Sequence, residues 1–275
     1  MRFDVITLFP ELFIPFLTHG VTRRAFAPLS IRDHGAATEQ IADLGAEPSD
    51  RRASAAVQLE LWNPRDFSTG NYRRIDDRPF GGGPGMVMMA QPLAACLKKI
   101  ETQRGDAAPV LLFAPGGQRL NDALVRDWAQ GQGAVLVCGR YEGVDQRFID
   151  AHVDQQVSLG DFILSGGEIA ALALLDAVAR LVPGVLNDAR SHEFESFNPA
   201  LDGLLDCPQF TRPEVWDGRA APEVLLSGRH DRIERWRREQ RLIVTARMRP
   251  DLLEDARKAG RLSDADEAAL ANADL

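Results

Sequence analysis

Glu142, Arg180 and Glu195 are the side chains in this sequence whose type and setting could do chemistry. A positioned carboxylate can accept a proton, and a guanidinium can stabilise developing negative charge. Glu142 lies in Cys138-Gly139-Arg140-Tyr141-Glu142-Gly143-Val144-Asp145, directly after the apolar run Ala134-Val135-Leu136-Val137. Arg180 ends an almost wholly apolar stretch, where a helix macrodipole alone would favour a cation. Glu195 sits in a polar segment between Phe194 and Phe197, where a carboxylate can simply be solvated.

The backbone near these residues is rich in glycine. One loop reads Asp76-Asp77-Arg78-Pro79-Phe80-Gly81-Gly82-Gly83-Pro84-Gly85-Met86, and a second Ser158-Leu159-Gly160-Asp161-Phe162-Ile163-Leu164-Ser165-Gly166-Gly167-Glu168. Glycine loses much freedom on ordering, so such clusters mark backbone that turns tightly or lies against something. Residues 81–85 lack the Gly-Lys-Ser/Thr of a P-loop, and neither their spacing nor a preceding buried strand fits a dinucleotide fingerprint. They read as a surface turn or, with Asp76, Asp77 and Arg78 beside them, as a loop that contacts a phosphate or a base. The segments at 115–117, 139–143 and 160–167 each sit at or near the end of a strand. Ligands of open α/β sheets bind at the carboxyl ends of strands. These loops are either ordinary strand–helix turns or, if they converge, a pocket of backbone N–H and C=O groups suited to an adenine edge and a ribose.

Alternating strands and helices must position these loops. Residues 3–9 read as a strand, after which Pro10-Glu11 opens a helix. Residues 57–62 alternate strictly, as a half-buried strand does, and residues 91–102 read as a helix. Residues 110–114 form a buried strand closed by Pro115-Gly116-Gly117. Asn121 caps a helix carrying Val125 and Trp128, and residues 134–138 form another buried strand. Continuous apolar strands alternating with helices imply a mostly parallel sheet covered on both faces, an α/β fold. The helix at 168–181 is apolar nearly all round, so it must be buried nearly all round, and a subunit interface is one way to achieve that. Residues 28–56 are rich in Ala, Asp and Arg with weak periodicity and read as an exposed, disordered insertion. The division that follows is an α/β domain over 1–186, a linker over 187–199 and a small helical domain over 200–275.

Composition narrows the function classes. The 275 residues are 45% hydrophobic and 26% charged, as in an ordinary soluble protein. No apolar run approaches the roughly 18 residues of a membrane span, and Asp4 and Glu11 interrupt anything like a signal peptide. Three widely separated cysteines form no metal-ligand spacing and fit a reducing cytoplasm, with Cys138 a core thiol. The net charge of −8 argues against a polyanionic partner, but it hides an asymmetry: residues 229–249 hold eight arginines against three acids. That run is either a solvated helix face with local ion pairs or a phosphate-binding face.

Together these motifs resemble the bacterial tRNA (guanosine-37-N1)-methyltransferases of the SPOUT class. The resemblance also takes in Leu8-Phe9-Pro10-Glu11, Asn63-Pro64-Arg65-Asp66-Phe67, Pro183-Gly184-Val185-Leu186 and Gly203-Leu204-Leu205-Asp206-Cys207-Pro208-Gln209-Phe210-Thr211-Arg212-Pro213-Glu214. It implies a SPOUT-type α/β domain with a deep trefoil knot and a small all-helical C-terminal domain that grips tRNA. It implies S-adenosylmethionine held by Ala114, Pro115, Gly116, Gly139, Arg140, Tyr141, Glu142, Gly143, Ser158, Leu159, Gly160, Phe162, Ile163, Leu164, Gly166 and Gly167. Glu195 falls where the general base lies and Arg180 where its partner lies. Asp76, Arg78, Gly85, Asp206, Arg212, Arg235 and Arg238 would meet the RNA. A homodimer with composite sites is implied, with no resident metal, although Glu142 and Glu195 could share a Mg²⁺ with nucleic acid.

Three departures stand out. Glu195 replaces the Asp of many relatives, Ala114-Pro115-Gly116-Gly117 replaces a more usual Ser-Pro-Gln-Gly, and the insertion at 28–56 has no counterpart. The rival readings are a non-catalytic module of the same fold that binds tRNA or S-adenosylmethionine, and a nucleotide-phosphate enzyme cradling phosphate at 81–85.

Overall fold

The computed structural model describes residues 1–26, 30–31, 56–186 and 194–273. Nearly all of the expected insertion, and the first half of the expected linker, lie outside them. The chain divides into two units, Met1–Asn187 and Asp188–Leu275.

The first unit runs β1 (Arg2–Ile6), α1 (Ile14–Thr18), β2 (Ser30–Ile31), β3 (Gln58–Trp62), β4 (Asp76–Asp77), β5 (Val87–Met88), α2 (Ala90–Arg104), β6 (Val110–Arg119), α3 (Asp122–Gln130), β7 (Val135–Val137), α4 (Gln146–His152), β8 (Gln155–Ser158) and α5 (Glu168–Leu181). Six strands form one sheet in the order β2-β3-β1-β7-β6-β8, and every pairing in it is parallel. The fold is α/β with a mostly parallel sheet, as the apolar strands imply. Successive residues alternate between two cores: Val5, Leu111 and Leu136 join the α3 and α5 side, while Ile6, Leu112, Val135 and Val137 join the α2 and α4 side. That two-sided burial is why these strands read as unbroken apolar runs.

One charge lies in the sheet itself. Asp4 is buried, and its carboxylate accepts hydrogen bonds from Arg2, from Arg104 Nη1 (2.8 Å) and from Trp62 Nε1 (2.8 Å), so the burial is compensated.

Several boundaries differ from the sequence expectation. β1 stops at Ile6 because the next residue turns its bonds elsewhere: Thr7 N–H reaches the Trp62 carbonyl, and its hydroxyl donates to Glu168. Pro10 opens a 3₁₀ turn, Pro10–Phe13, before the short α1. β6 does not end at Pro115. Phe113 and Gln118 both register with Val157, so residues 114–117 leave the ladder and the strand resumes to Arg119. Asn121 caps α3 as expected, its Oδ1 accepting from Leu124 N–H at 2.9 Å.

The second unit contains β9 (Val215–Trp216), β10 (Arg219–Ala220), α6 (Glu223–Leu226), α7 (His230–Met248), α8 (Pro250–Lys258) and α9 (Asp264–Ala271). Leu204, Leu242, Leu253, Ala256 and Leu270 make its core. It is mainly rather than wholly helical. β9 and β10 pair antiparallel through Asp217-Gly218, both with positive φ, as a tight hairpin turn requires. Arg241, expected away from the apolar face of α7, is buried beside Leu242 and paired with Asp206 (3.4 Å).

Candidate active site

The loops that follow β7 and β8, with the bulge in β6, surround a cavity of about 540 Å³ in the first unit. Every residue assigned to the cofactor from the motifs lines it except Gly116. Leu112, Phe113, Val144, Gln146, Ile149, Val157, Ser165 and Ala170 line it too. The apolar members among these come from strands and helices, and only the three-dimensional fold reveals that their side chains face the opening.

The walls are tied to one another. Gly167 N–H donates to the Gly139 carbonyl (2.9 Å), and Arg140 bridges to Gly166. Gly167 has no room for a side chain, since a Cβ there would stand 2.8 Å from Cys138 Cα. Arg140 Nε donates to both carboxylate oxygens of Glu168 (3.1 and 2.9 Å), Nη1 donates to the Ser165 carbonyl (3.3 Å), and the guanidinium stacks over the Phe9 ring at 4.3 Å. Glu168 is only 1% exposed and also accepts from the Thr7 hydroxyl at 2.9 Å. It stands in the first turn of α5, where the helix dipole favours a carboxylate. Glu168 and Thr7 escaped the sequence reading because their link to Arg140 exists only in space. Below this knot of bonds, burial pushes the Cys138 thiol well up, so it is a core group and not a nucleophile.

Tyr141 takes a positive φ of 59°, uncommon for a residue with a side chain. It accepts a hydrogen bond from Arg65 Nη2 at 3.4 Å. The Ser158 loop closes on itself, Gly160 N–H donating to Ser158 Oγ at 3.2 Å.

The first glycine-rich loop joins this wall. β4 and β5 form a short antiparallel hairpin, and β5 is stitched to the 142–145 segment: Glu142 N–H donates to the Met86 carbonyl, Met88 N–H to the Gly143 carbonyl, and Asp145 N–H to the Met88 carbonyl. Gly85 lies so close to Glu142 that a Cβ would collide with its carboxylate. Asp76 and Gly85 belong to this hairpin and Arg78 is exposed on it. The backbone N–H of Arg78, with the Arg74 guanidinium, holds the Asp77 carboxyl below its ordinary value.

The remaining site residues fall in two places. Arg180 closes α5, half-buried, and does not line the cavity. Glu195 belongs to the second unit, half-buried beside a turn in which Asn198 N–H donates to its carbonyl. In that unit Arg212 and Arg235 are exposed. Asp206 is engaged by Gln209 and Arg241. Arg238 donates to Asp266 (2.9 and 3.0 Å) and to Asp202 (2.7 Å), so most of its fork is committed internally. These bonds draw the Asp266 carboxyl down to about 2. Among the described residues, no group of three or more His, Cys, Asp or Glu could hold a metal ion, and no helix is long and apolar enough to cross a membrane.

Residues 49–255 match the family model described as tRNA (Guanine-1)-methyltransferase TrmD. The chain belongs to this family. The TrmD match spans the cavity loops, the hairpin and α7 alike. A tRNA (guanine-N(1)-)-methyltransferase of Albidiferax ferrireducens is 64% identical, over 99% of both chains. Those of Paracidovorax citrulli, 63% identical over 98% of each, and of Bordetella pertussis, 51% identical over 99% of this chain and 97% of its own, extend the likeness.

Proposed function

We propose that this chain transfers a methyl group from S-adenosylmethionine to N1 of guanosine 37 in tRNA, as a cytoplasmic homodimer. Membership of the TrmD family carries the reaction class. The observation in the fold that supports it is the single cavity wall built by the motifs of 114–115, 139–143 and 158–167.

The cavity suits the methyl donor. Its volume lies in the roughly 300–1,000 Å³ range of small-molecule sites. Leu112, Val157, Leu159 and Leu164 offer apolar surface to a base, while the glycine loops offer backbone donors and acceptors to its edge and to a ribose. When bound, S-adenosylmethionine supplies a methyl group already activated on a sulfonium.

The chain's own chemistry is then proton transfer and placement. Guanine N1 holds a proton near neutral pH and is a poor nucleophile until a base removes it. Glu195 is the proposed base, and Arg180 the group that stabilises negative charge building towards guanine O6. The extra methylene of Glu relative to Asp requires a small shift of its connector. Exposed Arg78, Arg212 and Arg235 are proposed to meet RNA, and the second unit to hold the tRNA. Arg238 and Asp206, already bonded within that unit, would act mainly by shaping it.

The dimer has a physical motive. Ile169, Leu172, Ala173 and Ala177 form a stripe along α5 that the described residues leave partly or wholly uncovered. Phe9 and Leu12 are exposed as well. A second copy would cover such a face. The trefoil knot is retained as part of the proposal. Mg²⁺ is proposed to assist through the RNA, since that ion usually keeps its waters and takes one or two carboxylates with phosphates. Chelation with EDTA should then slow turnover, with Mg²⁺ restoring it; an unchanged rate removes the ion from the scheme.

The test is methyl incorporation into a tRNA transcript with G at 37 against one with A there. Signal from the first alone is expected, and equal signal or none rejects the reading. Glu195→Gln should lower turnover at least a hundredfold, as loss of a general base does, with cofactor affinity unchanged. Retained turnover would move the base to another residue.

A further inference from the structure

The tip of the hairpin carries an unexplained side chain. Phe80 is 97% exposed, so its ring contributes nothing to either core of the first unit. Its neighbours emphasise it. Pro79 fixes the backbone before it, and Gly81, Gly82 and Gly83 after it all take positive φ, turning the chain away without covering the ring. A Cβ placed on any of these three glycines would meet nothing within 4 Å.

The base of the same arm is firmly held. Met88 is buried, Met89 N–H donates to the Ile75 carbonyl at 2.8 Å, and the stitches to residues 142–145 attach β5 to the cavity wall. The arm therefore presents one aromatic ring at a fixed place beside the cavity. Arg78 is exposed two residues before the ring, and Arg74 pairs with Asp77 at 3.0 Å.

We propose that Phe80 is a stacking platform for an unpaired base of the RNA substrate. The proposal rests on reading the chain as an enzyme that acts on tRNA. A lone ring bordered by glycines offers little contiguous apolar area to a protein partner, whereas it leaves both faces open to a flat one. Aromatic rings stack on exposed bases whatever the base, and a nearby arginine serves the adjoining phosphate. A base taken out of its own stack in order to react would leave a neighbour in need of such a surface.

The experiment measures binding of the full chain to an anticodon stem-loop transcript with G at 37, and to a duplex of equal length without a loop. Phe80→Ala should weaken stem-loop binding by roughly ten- to a hundredfold, the effect of losing one base–aromatic stack, and leave duplex binding unchanged. Phe80→Trp should restore stem-loop affinity to within a few-fold. Its emission, taken as the difference from the parent chain, should be quenched by the stem-loop and not by the duplex. Equal stem-loop affinity in Phe80→Ala, or equal weakening towards both RNAs, overturns the proposal. So does a changed sedimentation coefficient in Phe80→Ala, which would assign the ring to a contact between copies of the chain. If the parent chain itself binds no stem-loop, the enzymatic reading fails, an outcome separate from these.

Discussion

The two glycine-rich loops look alike in sequence and use glycine for opposite reasons. In the first, Gly81, Gly82, Gly83 and Gly85 all lie in the left-handed region, and the first three face open space. There glycine is needed for what the backbone does. In the second, Gly167 has an ordinary φ of −75°, yet a Cβ would strike Cys138, while one on Gly166 would strike Arg140 and Glu168. There glycine is needed for what stands next to it. A tip that turns freely and a wall that packs tightly thus arise from the same residue type, and composition alone does not separate them.

Substitutions separate them sharply. Gly167→Ala should cost the most, about 3 kcal/mol of unfolding free energy, because two backbones must part to admit one methyl group. Cofactor binding should fall with it. Chemical denaturation and calorimetric titration measure both, and a loss below about 1 kcal/mol would mean the wall yields easily. Glu168→Ala comes next. It leaves Arg140, 19% exposed at its side chain, without its buried partner. Breaking a fully buried pair costs roughly 3–5 kcal/mol, and the partial exposure of Arg140 reduces the expected loss to about 2 kcal/mol. Glu168→Gln, which keeps an acceptor, should lose less; if both variants lose equally, charge and not hydrogen bonding holds the wall. Gly82→Ala should cost least, about 1 kcal/mol, from left-handed backbone alone. A loss matching that of Gly167→Ala would erase the contrast between the loops.

What could be read from the sequence was mostly local. The Asn121 cap and the two-sided apolar strands follow from neighbours along the chain, and the structure bears both out. The cavity-lining loops were legible because three motifs each followed a strand, and in a parallel sheet such loops share one end. What was not legible depends on partners distant in sequence. Pro115-Gly116-Gly117 reads as a stop, yet β6 resumes because β8 offers Gln118 and Arg119 backbone to pair with. Arg140 and Glu168 meet across twenty-eight positions, Thr7 and Glu168 across many more, and nothing in either local sequence announces it. Arg241 reads as a surface cation, and only the position of Asp206 in space makes its burial tolerable.

The excursion of residues 114–117 from β6 has a mechanical consequence. Both of its ends register with Val157, so it hangs like a handle from a strand secured on either side. A molecule entering the cavity can press on Ala114 and Pro115 without sliding the sheet, because the ladder resumes at once beyond them. Occupancy should then slow amide exchange within the handle and leave exchange at Leu111 and Leu112 as it was. The scaffold would stay indifferent to its cargo, and adjustment to different ligands would fall to four residues.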